Sequence, residues 1–164
     1  MNHTWVEIVF VLTTLAFNLL IAGVYIATRH DSGLWVRWLG KGFLLLAVPY
    51  TIVLIDGLVN SLETWMIVIL GLTLGYILVE LLFDFLLKIG FRQKPILHVP
   101  YLIHFYIVLF GLIGIAFSIE RTWGWVVSVS FWLLLASLIY MIVGRRRDAA
   151  NSAGRFRQPT DGFM

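Results

Sequence analysis

From Ile8 to Thr28 the chain carries no charged residue. A helix needs about 20 mainly apolar residues to cross the roughly 30 Å hydrocarbon core of a bilayer, and this run supplies them. Four more such runs follow within 164 residues. The spans are read as about residues 6–28, 41–60, 64–87, 99–119 and 122–144. An unpaired backbone amide in hydrocarbon costs several kcal/mol, so only helices and closed barrels cross it. Barrel strands alternate polar and apolar residues, and these runs do not. The fold class is therefore read as an all-α integral membrane protein, a bundle of five transmembrane helices over residues 1–144. Only 13% of residues are charged, against about 25% in a soluble domain, which is too few to solvate a globule. The first five residues, MNHTW, lack the basic residues of a signal sequence, so the first run is read as a retained span.

The 12 Lys and Arg residues set the orientation. Arg29, Arg37 and Lys41 follow the first run. Lys88, Arg92 and Lys94 follow the third, and Arg145, Arg146, Arg147, Arg155 and Arg157 follow the fifth. Arg121 stands alone on the opposite side. Positive loops stay in the cytoplasm, so the N-terminus is expected outside and the C-terminus inside, with the cell (plasma) membrane as the expected location. The tail, residues 145–164, is basic and rich in Gly, Pro, Asn and Ser, and is expected to be disordered. Basic residues scattered between apolar runs argue against a nucleic-acid partner. Beside a bilayer they attract anionic lipid, which makes Lys88, Arg92, Lys94, Arg145, Arg146 and Arg147 candidate headgroup-binding residues.

The third run reads GLTLGYILVELLFDFLLKIG over residues 71–90 and places Tyr76, Glu80 and Asp84 on one helical face. A carboxylate turned to lipid at mid-depth costs about 2.5–3.5 kcal/mol or more, so the face is expected to point inward. Counting outward along the hairpin from Arg92 to Lys94 sets Asp84 level with about Leu102 and Glu80 near Tyr106, with His104 between them. Asn18, Tyr50, Ser137 and Tyr140 fall at a similar depth. The expected site is a polar cavity in the cytoplasmic half, built around Glu80 and His104. Its ligand-binding or proton-carrying candidates are Glu80, Asp84, His104, Tyr76, Asn18 and Tyr50. The structural alternatives are an interfacial Asp84–Lys88 pair, a neutral Glu80 bonded to a Tyr or Ser, and Asn18 and Tyr50 as links between helices.

Weaker signals complete the reading. Gly71 and Gly75 form a GxxxG pair that suits close helix packing or a homodimer. Pro49 predicts a kink in the second span. The stretch DSGLWVRWLGKG reads either as a short amphipathic helix among the headgroups or as an extended start to the second span. Glu80, Asp84, His98 and His104 do not have the spacing of known metal-binding helices, and no metal or cofactor is expected. The chain has no cysteine, which excludes thiol chemistry. No phosphate-binding loop, dinucleotide-binding pattern or nucleophile elbow is present, and no catalytic residue is assigned.

The leading functional expectation is binding or transport of a small lipid-like or weakly basic ligand, with proton coupling through Glu80. The alternatives are a membrane enzyme acting on lipid headgroups at the cytoplasmic face, and a noncatalytic accessory or sensor subunit. The orientation is directly testable. A reporter fused after Arg147 should be active in the cytoplasm and shielded from reagents applied to intact cells; labelling there from outside would overturn the five-span topology.

Overall fold

The computed structural model describes residues 4–82 and 95–155, with side chains described for 5–82 and 99–147. Helix fills nearly all of it: α1 (Thr4–Arg29), α2 (Gly33–Leu45), α3 (Ala47–Val59), α4 (Thr64–Glu80), α5 (Pro95–Ile119) and α6 (Arg121–Arg155). No strand occurs among the described residues. The chain is an all-α bundle of multi-pass membrane type. Four helical segments, Trp5–Arg29, Gly33–Val59, Val99–Ile119 and Arg121–Arg147, are long and apolar enough to cross a bilayer. The apolar α4 has 17 residues and is followed by a wider helical turn at residues 81–82; residues 83–94 lie outside the described part.

Two of the turns share one mechanism. After α1, Asp31 takes a left-handed conformation with φ 50°, and the Ser32 amide reaches back to the Ala27 carbonyl at 3.0 Å. After α3, Ser61 does the same with φ 55°, and the Leu62 amide reaches the Gly57 carbonyl at 2.8 Å. A left-handed residue just after the helix cap lets the following amide satisfy a terminal carbonyl. Asp tolerates that conformation better than most side chains.

Near Pro49, where a kink is expected, the helix is interrupted at Leu46. Proline offers no N–H to the Leu45 carbonyl, and its ring crowds that group. The helix breaks at Leu46, whose amide makes the tighter contact to the Phe43 carbonyl at 3.1 Å before Tyr50 N–H resumes the ladder to Leu46. Apart from this break, Gly33–Val59 is one span. The helix that carries the second apolar run begins at Gly33, and DSGLWVRWLGKG supplies its start. Likewise α6 runs on to Arg155 instead of ending at Gly144.

Helix α1 lies at the centre and packs against α2, α3, α5 and α6. Its inner stripe, Phe10, Val11, Thr14, Phe17 and Asn18, is essentially buried. The core continues through Tyr50, Leu70, Tyr76, Val108, Leu112, Val127 and Leu134. The outer faces are as apolar as the inside: Leu19, Ile55, Trp132 and Leu133 are all more than half exposed. Water would leave such a surface to aggregate, whereas hydrocarbon solvates it. Arg29, Arg37, Lys41, Arg145, Arg146 and Arg147 gather at one end of this antiparallel succession, called here the basic end. Glu63, Glu120 and Arg121 lie at the other.

One close helix approach is made by a glycine that is not part of the GxxxG pair. A Cβ on Gly111 would stand 2.6 Å from Ile69 Cδ1 and Cγ2. Gly111 therefore sets the spacing of α4 and α5. Gly111→Val should overpack this contact and destabilise by about 1–3 kcal/mol. Gly71→Val, at a position with no neighbour within 4 Å, should leave the melting temperature in detergent nearly unchanged. Equal losses at the two sites would contradict the packing described.

Candidate functional site

The chemistry gathers where α4 meets α5 near the basic end. Glu80 closes the last α-helical turn of α4, just before the backbone opens into a wider turn at residues 81–82. Wide turns of this type recur at functional sites. Glu80 Oε1 accepts hydrogen bonds from two tyrosines: Tyr76 one turn earlier, at 3.1 Å, and Tyr101 across the helix pair on α5. The two hydroxyls also meet each other at 2.5 Å. Three oxygens thus form a closed triangle.

Proton counting gives this triangle its character. With Glu80 ionised, both tyrosine protons point at Oε1, and the contact between the tyrosines holds none. One further proton on the carboxyl allows a ring in which each oxygen donates once and accepts once. The arrangement therefore has a place for an exchangeable proton inside an apolar helix hairpin.

Tyr76 is anchored from several sides. It is 3% exposed and packs against Phe17 of α1, Phe43 of α2, and Tyr101, His104 and Phe105 of α5, at ring-centroid separations of 5.3–6.1 Å. Rings at these separations make offset or edge contacts that add to plain burial. Four helices therefore fix the phenol that meets Glu80. Phe17, Phe43, Tyr101 and Phe105 were not singled out from sequence. Tyr101 had a signal there, since it lies three residues from His104 on the same face.

Glu80 is bonded to tyrosines, one of the alternatives read from the sequence, while His104, expected at a similar depth, bonds elsewhere. His104 Nε2 lies 2.9 Å from the Leu72 carbonyl oxygen, two turns along α4 from Glu80. A carbonyl only accepts, so Nε2 carries the proton in this bond. Counting depth along the hairpin located His104 and Tyr106 while ignoring rotation about the helix. Five residues turn a helix by about 500°, so Tyr101 and Tyr106 face directions roughly 140° apart. Tyr101 meets α4, and Tyr106 is 36% exposed.

The remaining polar candidates resolve into separate pairs rather than one layer. Tyr50 donates to the Thr14 hydroxyl at 3.3 Å, tying α3 to α1. Asn18 donates through Nδ2 to Ser130 at 2.7 Å, tying α1 to α6, while its buried Oδ1 has no hydrogen-bond partner. Ser137 bonds to the Leu134 carbonyl of its own helix. Tyr140 is half exposed, beside His30. Gly75 faces His104 of the same chain, with Cε1 3.9 Å from where a Cβ would stand. Asp84, Lys88, Arg92 and Lys94 lie outside the described residues, as does the side chain of His98. Among the described residues, no three of the His, Asp and Glu side chains cluster as a metal site would require.

With this geometry in hand, the chain was set against known protein families, curated proteins and solved structures, and it matches none of them.

A double-mutant cycle tests the register. Tyr101→Phe should destabilise by about 0.5–1.5 kcal/mol. Combined with Glu80→Gln, it should show a coupling of about 0.5 kcal/mol or more. His104→Ala with Glu80→Gln should be additive. Coupling to His104 but not to Tyr101, measured by thermal unfolding in detergent, would reinstate the depth-matched pairing.

Proposed function

We propose that the protein binds and moves a small lipid-like or weakly basic ligand, with Glu80 as the proton-carrying group. The observation that carries this reading is the Glu80–Tyr76–Tyr101 triangle within an apolar helix hairpin. An acid in such a place is costly to maintain, and acids in spans tend to mark pathways. A weakly basic amine reaching Oε1 would take the carboxyl proton: the O–H bond breaks, an N–H bond forms, and an ammonium faces a carboxylate. The adjoining tyrosine rings add a cation–π surface for that ammonium. Release of the ligand as a neutral amine returns the proton to Glu80 and restores the ring.

In this reading the basic end faces the cytoplasm, as the positive-inside rule requires, and the membrane is the cell (plasma) membrane. Tyr76 and Tyr101 position the proton. His104, bonded to the α4 backbone, holds the hairpin in register rather than touching the ligand. Asn18 and Tyr50 fasten α1 to its neighbours.

The test separates folding from function. Glu80→Gln keeps the shape of the neutral acid but carries no exchangeable proton. In proteoliposomes with an imposed pH gradient, the wild type should accumulate a fluorescent weakly basic amphiphile faster than protein-free vesicles. Glu80→Gln should abolish that excess while the melting temperature stays within a few degrees. Full uptake by the Gln variant would remove Glu80 from the mechanism. A Gln variant that does not fold would show that the ionised carboxylate holds the helices together.

A further inference from the structure

A second feature of the basic end lies on α2. The stretch GLWVRWLGK forms the first turns of this helix, and Gly33, Leu34, Arg37, Trp38 and Lys41 line a shallow hollow of about 420 Å³ on its exposed side. Its depth follows from the length of the helical segment. Gly33–Val59 has 27 residues, a rise of roughly 40 Å against a hydrocarbon core of roughly 30 Å. About 20 residues fill that core, and counted back from Val59 they reach Gly40. By this count the first two turns of α2 stand in the headgroup layer, with Lys41 at its edge. The exposed Trp35 and Trp38 suit that boundary.

Two cations converge at this level. Lys41 turns away from the hydrocarbon: its Nζ lies 5.1 Å from the centre of the Trp38 ring, one turn back toward the start of the helix. A lysine stem at such a boundary carries its ammonium toward water, and the ring beneath it adds a cation–π contact. Arg37 is exposed and makes no hydrogen bond or ion pair among the described residues. Its guanidinium can meet phosphate oxygens with two donors at once. Below the pair, the exposed stripe of the same helical segment continues through Leu45, Val48 and Ile52, a track of apolar side chains at helical spacing. We infer that this stripe is a binding site for one anionic phospholipid, its phosphate held between Arg37 and Lys41 and an acyl chain lying along Leu45, Val48 and Ile52. The paired cations repel the choline of a zwitterionic lipid, so a net-anionic headgroup is selected. The site is independent of the Glu80 reading. It also differs from a diffuse attraction of basic loops, because the Trp38 ring fixes one of its two cations.

The experiment uses the full chain in detergent, titrated with phosphatidylglycerol or with phosphatidylcholine of the same acyl chains, and bound lipid is read by native mass spectrometry. The first phosphatidylglycerol should bind about tenfold more tightly than phosphatidylcholine. Arg37→Gln and Lys41→Gln should each weaken it about fivefold, as expected for one basic residue at an anionic surface. Trp38→Leu changes no charge and should still weaken it about two- to fivefold, by removing the ring that carries Lys41. Arg121→Gln, an equal loss of charge at the opposite end, should leave it unchanged. All four side chains are exposed, so the variants should fold and melt as the wild type does. Glycerol phosphate, a headgroup without chains, should not compete. Equal binding of the two lipids, equal losses in Arg121→Gln and Arg37→Gln, full binding by Trp38→Leu, or displacement by glycerol phosphate would each overturn the site. The last result would make it a pocket for a free phosphate.

Discussion

In hydrocarbon a backbone amide finds no partner except another protein group, and each unpaired one costs several kcal/mol. That constraint makes every crossing segment a helix, and it governs the irregularities as well. The break at Leu46 repairs the ladder around Pro49 with a tighter turn. The left-handed residues Asp31 and Ser61 return terminal amides to the carbonyls behind them. Hydroxyls obey the same rule. Thr13, Thr14, Thr28, Thr51, Thr73, Ser118 and Ser128 each donate to the carbonyl four residues back. The protons of these hydroxyls are thereby used locally, and their oxygens remain only as acceptors, as Thr14 is for Tyr50.

The few polar contacts that cross between helices then stand out. Tyr50–Thr14 and Asn18–Ser130 join α1 to α3 and to α6. Bonds of this kind contribute about 0.6–2 kcal/mol in membranes. They stabilise a bundle whose outer faces gain nothing from burial against lipid. The Glu80 triangle also crosses a helix pair, but it differs in kind. It holds an ionisable group, and its tyrosine is clamped by rings from α1, α2 and α5. A proton site needs such rigidity, because a carboxyl free to swing would lose both hydroxyl partners.

Both proposed sites lie toward the basic end and are built differently. The triangle is part-buried between α4 and α5 and suited to one proton and a small cation. The α2 stripe is open to lipid and suited to an anion with a chain. Close packing by small residues shapes the bundle around them: Gly111 brings α4 and α5 together, and Gly144 admits Arg29. In neither case is the responsible glycine one of the pair at 71 and 75 that matches the familiar dimer motif.

Length and apolarity are properties of the chain alone, and they determined the helical class and its long apolar segments and marked Glu80 as an ionisable group inside one of them. They are legible because hydrocarbon imposes a one-dimensional rule on each segment. Partners were not legible. Depth along a hairpin can be counted from sequence, but rotation about each helix axis and the reach of a tyrosine are set by packing. That is why depth alone set His104 level with Glu80, whereas Tyr101 is the α5 residue that bonds to it. The same reason hides Arg29: its place against Gly144 joins residues more than a hundred positions apart, and only the packing of α1 on α6 brings them into contact.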